Sequence, residues 1–418
     1  MNDIELALEE LRKLGLHRST RLISGPQGPQ VLVDGRPVLL LCSNNYLGFA
    51  DHPRVREAAA DAAMRWGVGA GASRLVSGTM TIHATLEQRL AEFHGRESAV
   101  LFGAGYLANI GVISALARRD SIVFSDALNH ASIVDGCRLA RAETFVYEHC
   151  DLDHLAWGLD KAPSGCVIVT DSLFSMTGDV APLEGIVALA ARHGARVVVD
   201  EAHAIGTLGP GGRGAVAEAG LEDAVDVITG TLGKSLGSYG AYVCCSSEIV
   251  EYLVNVARPL IFSTAPPPPA LAGALAALEL LEEQPRRVAK LQANSALLRD
   301  ALDSAGIKAP AGRTQIIPLV IGDAEATVAV SAATLARGVF VQAIRPPTVP
   351  AGGSLLRLTT MASHSATELT RAAETIATAA RDARVGFGSA KPAGSNKKKR
   401  KRGGDGGDAA DSAVAHAA

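Results

Sequence analysis

The 418-residue chain is 48% apolar with a formal charge of −3, enough material for a large core and a second, smaller domain. So balanced a charge supplies no general field for nucleic acid or an anionic membrane, and the clustered positive charge falls in a C-terminal run, Lys397 to Arg402. No stretch reaches the ~18 uninterrupted apolar residues of a membrane span, and the six scattered cysteines read as reduced thiols. We therefore expect a cytoplasmic enzyme with no nucleic-acid or membrane partner.

Residues 1–42 open with MNDIELALEELRKLG, an amphipathic helix followed by an arm, with charges throughout and no signal-peptide pattern. Residues 43–285 form the large domain. Within it SAVLF, SIVFSD, CVIVTD, ARVVVD, DVITG and AYVCC are short β-rich runs bounded by Gly, Ser, Asp or Pro. Helical spacing fills the intervals, as in Ala108 to Ala117 and Leu183 to Arg192. That alternation predicts an α/β architecture with a mostly parallel sheet covered on both faces.

A long helix is expected from about Pro269 to Leu281. Residues 286–387 mix helices with short strands (QIIPLVIG, LLRLTT) and predict a smaller C-terminal α+β domain. From residue 388 the composition turns to Gly, Ala, Ser, Lys and Asp without apolar period, the pattern of a disordered tail.

In parallel sheets ligands bind beyond the carboxyl ends of the strands. The residues there are Gly103 to Tyr106, Asn129-His130, Ser175, Asp200 to His203 and Thr231 to Lys234. Lys234 sits among small residues and hydroxyls in TGTLGKSLGSYG, as a lysine must if it is to reach an aldehyde as a neutral amine. A surface loop lysine is the alternative. Asp200 suits a ring nitrogen that must stay protonated, with His203 in reach of a ring hydroxyl; a strand-closing Asp and a backbone-bonded His would look the same. Gly103 to Tyr106 lies between strand and helix, where free amides hold a phosphate, though such a turn also serves tight packing.

Asp200-Glu-Ala-His203 also spells a helicase motif, and Gly233-Lys234-Ser235 the end of a phosphate-binding loop. Ile228 stands where that loop needs glycine, and the order of the two motifs is reversed. Glu148-His149-Cys150-Asp151 with His154 invites a metal, but no second cluster accompanies it, and polar residues at a helix end account for it. No metal is expected.

Taken together, SNNYLG (Ser43 to Gly48), GAGASRLVSGT (Gly69 to Thr79), NHAS (Asn129 to Ser132), DSLFSMTGD (Asp171 to Asp179), DEAHAIGTLGPGGRG (Asp200 to Gly214), TLGKSLG (Thr231 to Gly237) and FST (Phe262 to Thr264) resemble the α-oxoamine synthases. These are fold-type I pyridoxal-phosphate transferases that condense an amino acid with an acyl thioester and lose carbon dioxide. The resemblance covers roughly Arg18 to Arg381. Within it AIRPPTVPAG (Ala343 to Gly352) followed by LLRLT is most similar to the branch that joins L-alanine to a pimeloyl thioester.

That resemblance implies pyridoxal 5'-phosphate held by Lys234 as a Schiff base, with Lys234 later serving as the base for the α-proton. It places His130 against the ring, Asp200 on the ring nitrogen, and His203 and Ser175 on the ring oxygen. Gly105, Tyr106 and Thr231 would hold the phosphate. Arg357 and Asn44 would clamp the amino acid carboxylate, with Arg18, for which Arg21 competes, and Thr348 touching substrate. The family's homodimers share their sites, which assigns Ser263 and Thr264 to the partner subunit's phosphate. Ala104 departs from a serine common in the phosphate turn.

Overall fold

The computed structural model describes residues 2–117, 119–163 and 165–388; the basic run at Lys397 and nearly all of the glycine-rich tail lie outside them. Seven strands make the main sheet: β1 (Ser98–Phe102), β2 (Ile122–Asp126), β3 (Glu143–Tyr147), β4 (Val167–Asp171), β5 (Arg196–Asp200), β6 (Val227–Thr231) and β7 (Ala241–Cys245). Their order is β1-β7-β6-β5-β4-β2-β3. From β3 through β6 every pairing is parallel, and β7 runs antiparallel to both of its neighbours.

Apolar runs of this kind form inner strands because both faces are covered. All five residues of β4 are buried. Val167, Val169 and Val198 meet Val112, Ile133 and Cys137 on one face. Ile168, Val197 and Val199 meet Leu90, Ile186 and Leu278 on the other. Each such fully buried aliphatic side chain contributes about 2 kcal/mol. The expected helices are present as Gly105–Leu116, Leu183–His193 and Pro268–Glu283.

Strand β3, ETFVY, is absent from the runs read in the sequence. It is an edge strand with Glu143, Thr144 and Val146 exposed, so it lacks the continuous apolar signal of its neighbours.

Beyond the sheet, Ile316–Gly322, Ser354–Thr359 and Gln342–Ile344 form a three-stranded antiparallel sheet. Its core joins Ile317, Leu319, Leu356 and Leu358 to Leu298, Leu302 and Ile376 of the helices Arg286–Ser304 and Ala366–Asp382. The N-terminal arm contains a hairpin, Gln30–Val33 with Arg36–Leu40. Asp34 and Gly35 turn it at φ 49° and 79°, the positive pair that a two-residue hairpin turn favours. Leu39 and Leu40 then pair in parallel with Val339 and Phe340, so the arm closes onto the C-terminal part of the chain.

Because the parallel strands point one way, the loops after Asp126, Asp171, Asp200 and Thr231 gather at one edge. The register brings Asp171 opposite Asp200 and Asp200 opposite Thr229.

Candidate active site

Lys234 stands in the turn between β6 and β7, clasped by Leu232 N–H to the Gly240 carbonyl (2.9 Å) and Ser238 N–H to the Leu232 carbonyl (2.9 Å). Ser235 Oγ donates to the Ile205 carbonyl at 2.6 Å. A Cβ on Gly206 (φ 75°) would lie 2.6 Å from that of Ser235, so only glycine lets the two loops meet. The Lys234 amine is pushed down to about 8, by burial first, with Asp200 and Asp171 opposing. At pH 7 about one amine in ten is then neutral, against roughly one in 3,000 at the ordinary value.

Asp200 closes β5, buried. Its Oδ2 accepts from Asn109 Nδ2 at 2.6 Å and its Oδ1 from Ala202 N–H at 2.7 Å. Asn109 also donates to Ser132 Oγ (2.8 Å) and accepts from Thr229 Oγ1 (2.9 Å), a fully used amide that fixes the carboxylate from below. The next residue, Glu201, turns inward and accepts from Ala215 and Val216 N–H at 3.0 and 3.1 Å. Burial lifts its carboxyl to about 7. Gly214 (φ 100°) passes so close that a Cβ would lie 1.5 Å from Glu201 Oε2, which explains the glycine-rich end of that motif.

His130 follows β2 and is held by its own N–H, which donates to Asp171 Oδ2 at 2.7 Å, and by Nδ1 against Ser132 Oγ at 2.7 Å. The surrounding protein keeps its pKa below the ordinary value, Asp200 opposing. Tyr106 meets the His130 ring edge-on, centroids 6.2 Å apart, and its hydroxyl donates to Asp135. Tyr106 belongs to the first turn of helix Gly105–Leu116, whose N-cap, Ala104, makes no side-chain hydrogen bond. The amides of that turn have no intrahelical partner. A Cβ on Gly105 would sit 4.0 Å from Thr231 Cβ, so these amides and the Thr231 hydroxyl border one cradle.

Opposite, Arg357 rises from Ser354–Thr359, buried. Its Nε donates to the Ser175 carbonyl at 2.6 Å, and one terminal nitrogen reaches Asn44 Oδ1 (3.2 Å) and Tyr46 Oη (3.3 Å). Tyr46 Oη lies 2.7 Å from His203 Nδ1, and His203 Nε2 lies 2.9 Å from Lys234 Nζ. Burial, then the charges of Lys234 and Arg357, holds His203 well below the usual histidine range and so neutral.

The geometry thus gathers Lys234, His203, Asn44, Arg357 and the Ser175 backbone in one connected set. Asp200 and His130 join it by electrostatic contact with Lys234. Ser263 and Thr264 lie elsewhere, beside the π-helical turn Arg74–Gly78, where Thr264 bridges to Ser73. Arg18 donates to the Pro346 carbonyl at 3.3 Å, two residues from Thr348, whereas Arg21 pairs with Asp34 at 3.4 Å. Tyr46 and Asn109 were not singled out in the sequence. Only proximity in space reveals them, although Tyr46 stands inside the SNNYLG string; Asp171 opens the DSLFSMTGD string but carried no role of its own there.

The Glu148 to His154 segment divides. Asp151 and His154 do serve a helix end, Asp151 accepting from His154 N–H at 2.9 Å. His149 instead reaches across the fold, its Nδ1 2.9 Å from Asp126 and its Nε2 3.3 Å from Asp179. Donor atoms of Asp126, His149 and Cys150 lie within 4.8 Å of one another, but the imidazole contacts both carboxylates directly, as a hydrogen-bonded ion triad.

A lowered-pKa lysine, a buried carboxylate and an uncapped helix N-terminus beside a threonine fit a phosphorylated pyridine aldehyde. The family model for class I and II aminotransferases matches residues 36–376. The chain belongs to that family and, within it, to the α-oxoamine synthases, pyridoxal-phosphate-dependent acyltransferases of fold-type I. It is 50% identical over 374 residues to the 8-amino-7-oxononanoate synthase of Geobacter sulfurreducens, covering 88% of this chain and 96% of that one. The synonymous enzyme of Citrifermentans bemidjiense is 52% identical over 370 residues, 88% and 95% covered. Among solved structures, serine palmitoyltransferase with a pyridoxal-phosphate internal aldimine superposes with a TM-score of 0.86 at 32% identity, over 91% of this chain and 98% of that one.

Proposed function

We propose that this protein is an 8-amino-7-oxononanoate synthase, joining L-alanine to a pimeloyl thioester. The bond to the alanine α-carbon forms at the thioester carbonyl, the thiol leaves, and the alanine carboxylate departs as carbon dioxide. The observation that carries the chemistry is the unbroken hydrogen-bonded path from the Lys234 amine through His203 and Tyr46 to Arg357. The substrates follow from the relatives' names and from the Ala343 to Gly352 segment.

When bound, pyridoxal phosphate supplies a ring that draws electrons away from the amino acid's α-carbon. Arg357 and Asn44 hold the substrate carboxylate, a forked contact that suits guanidinium. Lys234 takes the α-proton at Nζ, its lowered pKa leaving the lone pair accessible near neutrality. Asp200, fixed by Asn109, would accept from the ring nitrogen and keep it protonated. His130 would form one wall of the ring site, His203 and Ser175 would serve the ring oxygen, and Gly105, Tyr106 and Thr231 would hold the phosphate. Arg18 and Thr348 border the acyl substrate.

The working unit is a homodimer. Met64, Val68, Leu75, Val76 and Phe262 are 55–90% exposed, and Leu75, Val76 and Phe262 lie around the Ser73–Thr264 bridge. Apolar exposure of this kind marks an interface, and it would carry Ser263 and Thr264 to the partner's phosphate. No helix among the described residues is long and apolar enough to cross a membrane, and the six cysteines are free thiols; a cytoplasmic location agrees with both.

The test is thiol release from pimeloyl-CoA by the cofactor-loaded protein with L-alanine, glycine or L-serine in separate reactions. Release with alanine, accompanied by carbon dioxide, is expected. Turnover with glycine or serine alone would overturn the substrates and leave the family standing.

A further inference from the structure

Tyr46 is fully buried, and its hydroxyl has four polar neighbours: Asn44 Oδ1 at 3.0 Å, His203 Nδ1 at 2.7 Å, an Arg357 terminal nitrogen at 3.3 Å and the Gln315 side chain. Backbone bonds fix its place, Tyr46 N–H to the Asn44 carbonyl at 2.8 Å and Ala362 N–H to the Tyr46 carbonyl at 2.7 Å. That leaves the one hydroxyl proton two acceptors, Asn44 Oδ1 and His203 Nδ1. Arg357 can only donate, so it takes a lone pair of the Tyr46 oxygen. Asn44 Oδ1 receives Arg357 at 3.2 Å and, with its second lone pair, is the other acceptor open to the hydroxyl, at 3.0 Å. His203 Nδ1 is the closest acceptor and, among the described residues, has no other hydrogen-bond partner at that nitrogen.

We propose that Tyr46 is a positioning residue that donates its proton to His203 Nδ1, thereby fixing hydrogen on Nε2, and at the same time braces the Arg357 guanidinium. A neutral imidazole carries one N–H, so an acceptor at Nδ1 makes Nε2 a donor. Nε2 is the nitrogen that faces Lys234 Nζ; a charged amine there donates to Nε2, so the Nε2–H form belongs to the holoenzyme, whose lysine is engaged by the aldehyde. An Nε2–H is what an anionic ring oxygen requires, whereas the opposite tautomer would set lone pair against lone pair. The hydroxyl thus couples the group that holds the amino acid carboxylate to the group that holds the cofactor's oxygen. Charged and titratable groups facing His203 are Lys234, Arg357 and His130; Tyr46 is the one that contacts its Nδ1. This inference rests on the proposed reaction and adds to it a residue the sequence did not single out.

Tyr46→Phe removes one oxygen and keeps the ring. In the substrate-free holoenzyme the expected result is an altered ratio of the cofactor's visible absorbance bands at fixed pH. Spectral titration with L-alanine alone should give a dissociation constant raised about tenfold, ~1.4 kcal/mol, and the KM for the acyl thioester should stay within twofold. Either the band ratio or the alanine affinity remaining at its wild-type value in a folded variant overturns the proposal. A second measurement needs no variant of Tyr46: nitrogen-15 NMR of histidine-labelled wild-type holoenzyme, with His203→Asn to assign the signal, should show His203 protonated at Nε2. Protonation at Nδ1 overturns it as well. Absence of any cofactor band in the wild type would overturn the underlying reaction together with this role.

Discussion

Nζ of Lys234 lies 2.9 Å from Nε2 of His203, so the amine that must meet an aldehyde is held by a side chain that is itself buried and neutral. Lys234→Ala should abolish the cofactor's Schiff-base absorbance and lower kcat by at least ~10³-fold. The neutral amine is the reactive form and the pKa is about 8. Capture of pyridoxal phosphate by the apoprotein should therefore quicken about tenfold per pH unit below 8 and level off above it. Stopped-flow absorbance between pH 6 and 9 measures this; a flat profile would contradict the assigned nucleophile.

Arg357→Lys keeps the charge and loses the fork. Its Nε and terminal nitrogen now serve the Ser175 carbonyl, Asn44 and Tyr46 at once, which an ammonium group cannot reproduce. The KM for L-alanine should rise about 30-fold, roughly 2 kcal/mol, with cofactor affinity within about twofold of wild type. Equal losses of both would point to disruption of the fold.

Asn109→Ala strips the support from Asp200, Ser132 and Thr229 together. Leaving buried polar groups unpaired should cost about 2–3 kcal/mol, read as a lowered denaturation midpoint. The loss of kcat should exceed what the stability change explains, because the carboxylate proposed to serve the ring nitrogen loses its Asn109 anchor. An unchanged kcat in the folded variant would separate Asn109 from the site.

His149 offers a pH test. Burial pushes its pKa down, yet hydrogen bonds to Asp126, Asp179 and Cys150 outweigh that and lift it to about 11. A folded pKa above the unfolded value of about 6.5 stabilises fully below pH 6.5 and progressively less as pH climbs towards 11. Breaking the triad with His149→Gln should cost about 3 kcal/mol near pH 6. The gap in Tm between wild type and variant should narrow steadily by pH 10; a gap that widens with pH would contradict a charged imidazole.

Val76→Glu with Phe262→Glu places two charges on side chains that are 79% and 70% exposed in the single chain. The pair should convert a dimer to a monomer in analytical ultracentrifugation and weaken phosphate retention through Ser263 and Thr264. A variant that stays dimeric would move the interface elsewhere.

The strands and their chemistry were readable in the sequence where local signals agree. VIVTD and RVVVD are buried on both faces, so their apolar runs are continuous and their terminal aspartates mark the ligand edge. ETFVY escaped notice because an edge strand needs burial on one side only. The arm's hairpin likewise showed as no more than an arm, although its Asp34-Gly35 turn is a local signal.

Residue type and spacing put Lys234, Asp200 and His203 beyond the carboxyl ends of the strands, because a strand that ends in a polar residue has only one place to put it, and the family resemblance made them candidates for a pyridine aldehyde. Only the tertiary structure decided what holds them. Tyr46 meets His203 across 157 residues and Arg357 across 311, and Asn109 meets Asp200 across 91. A tyrosine in a loop or an asparagine in a helix is locally unremarked. Their roles come from the burial of polar atoms that must find partners, and where those partners lie is fixed by how the strands are ordered in the sheet and how the C-terminal part closes over its edge.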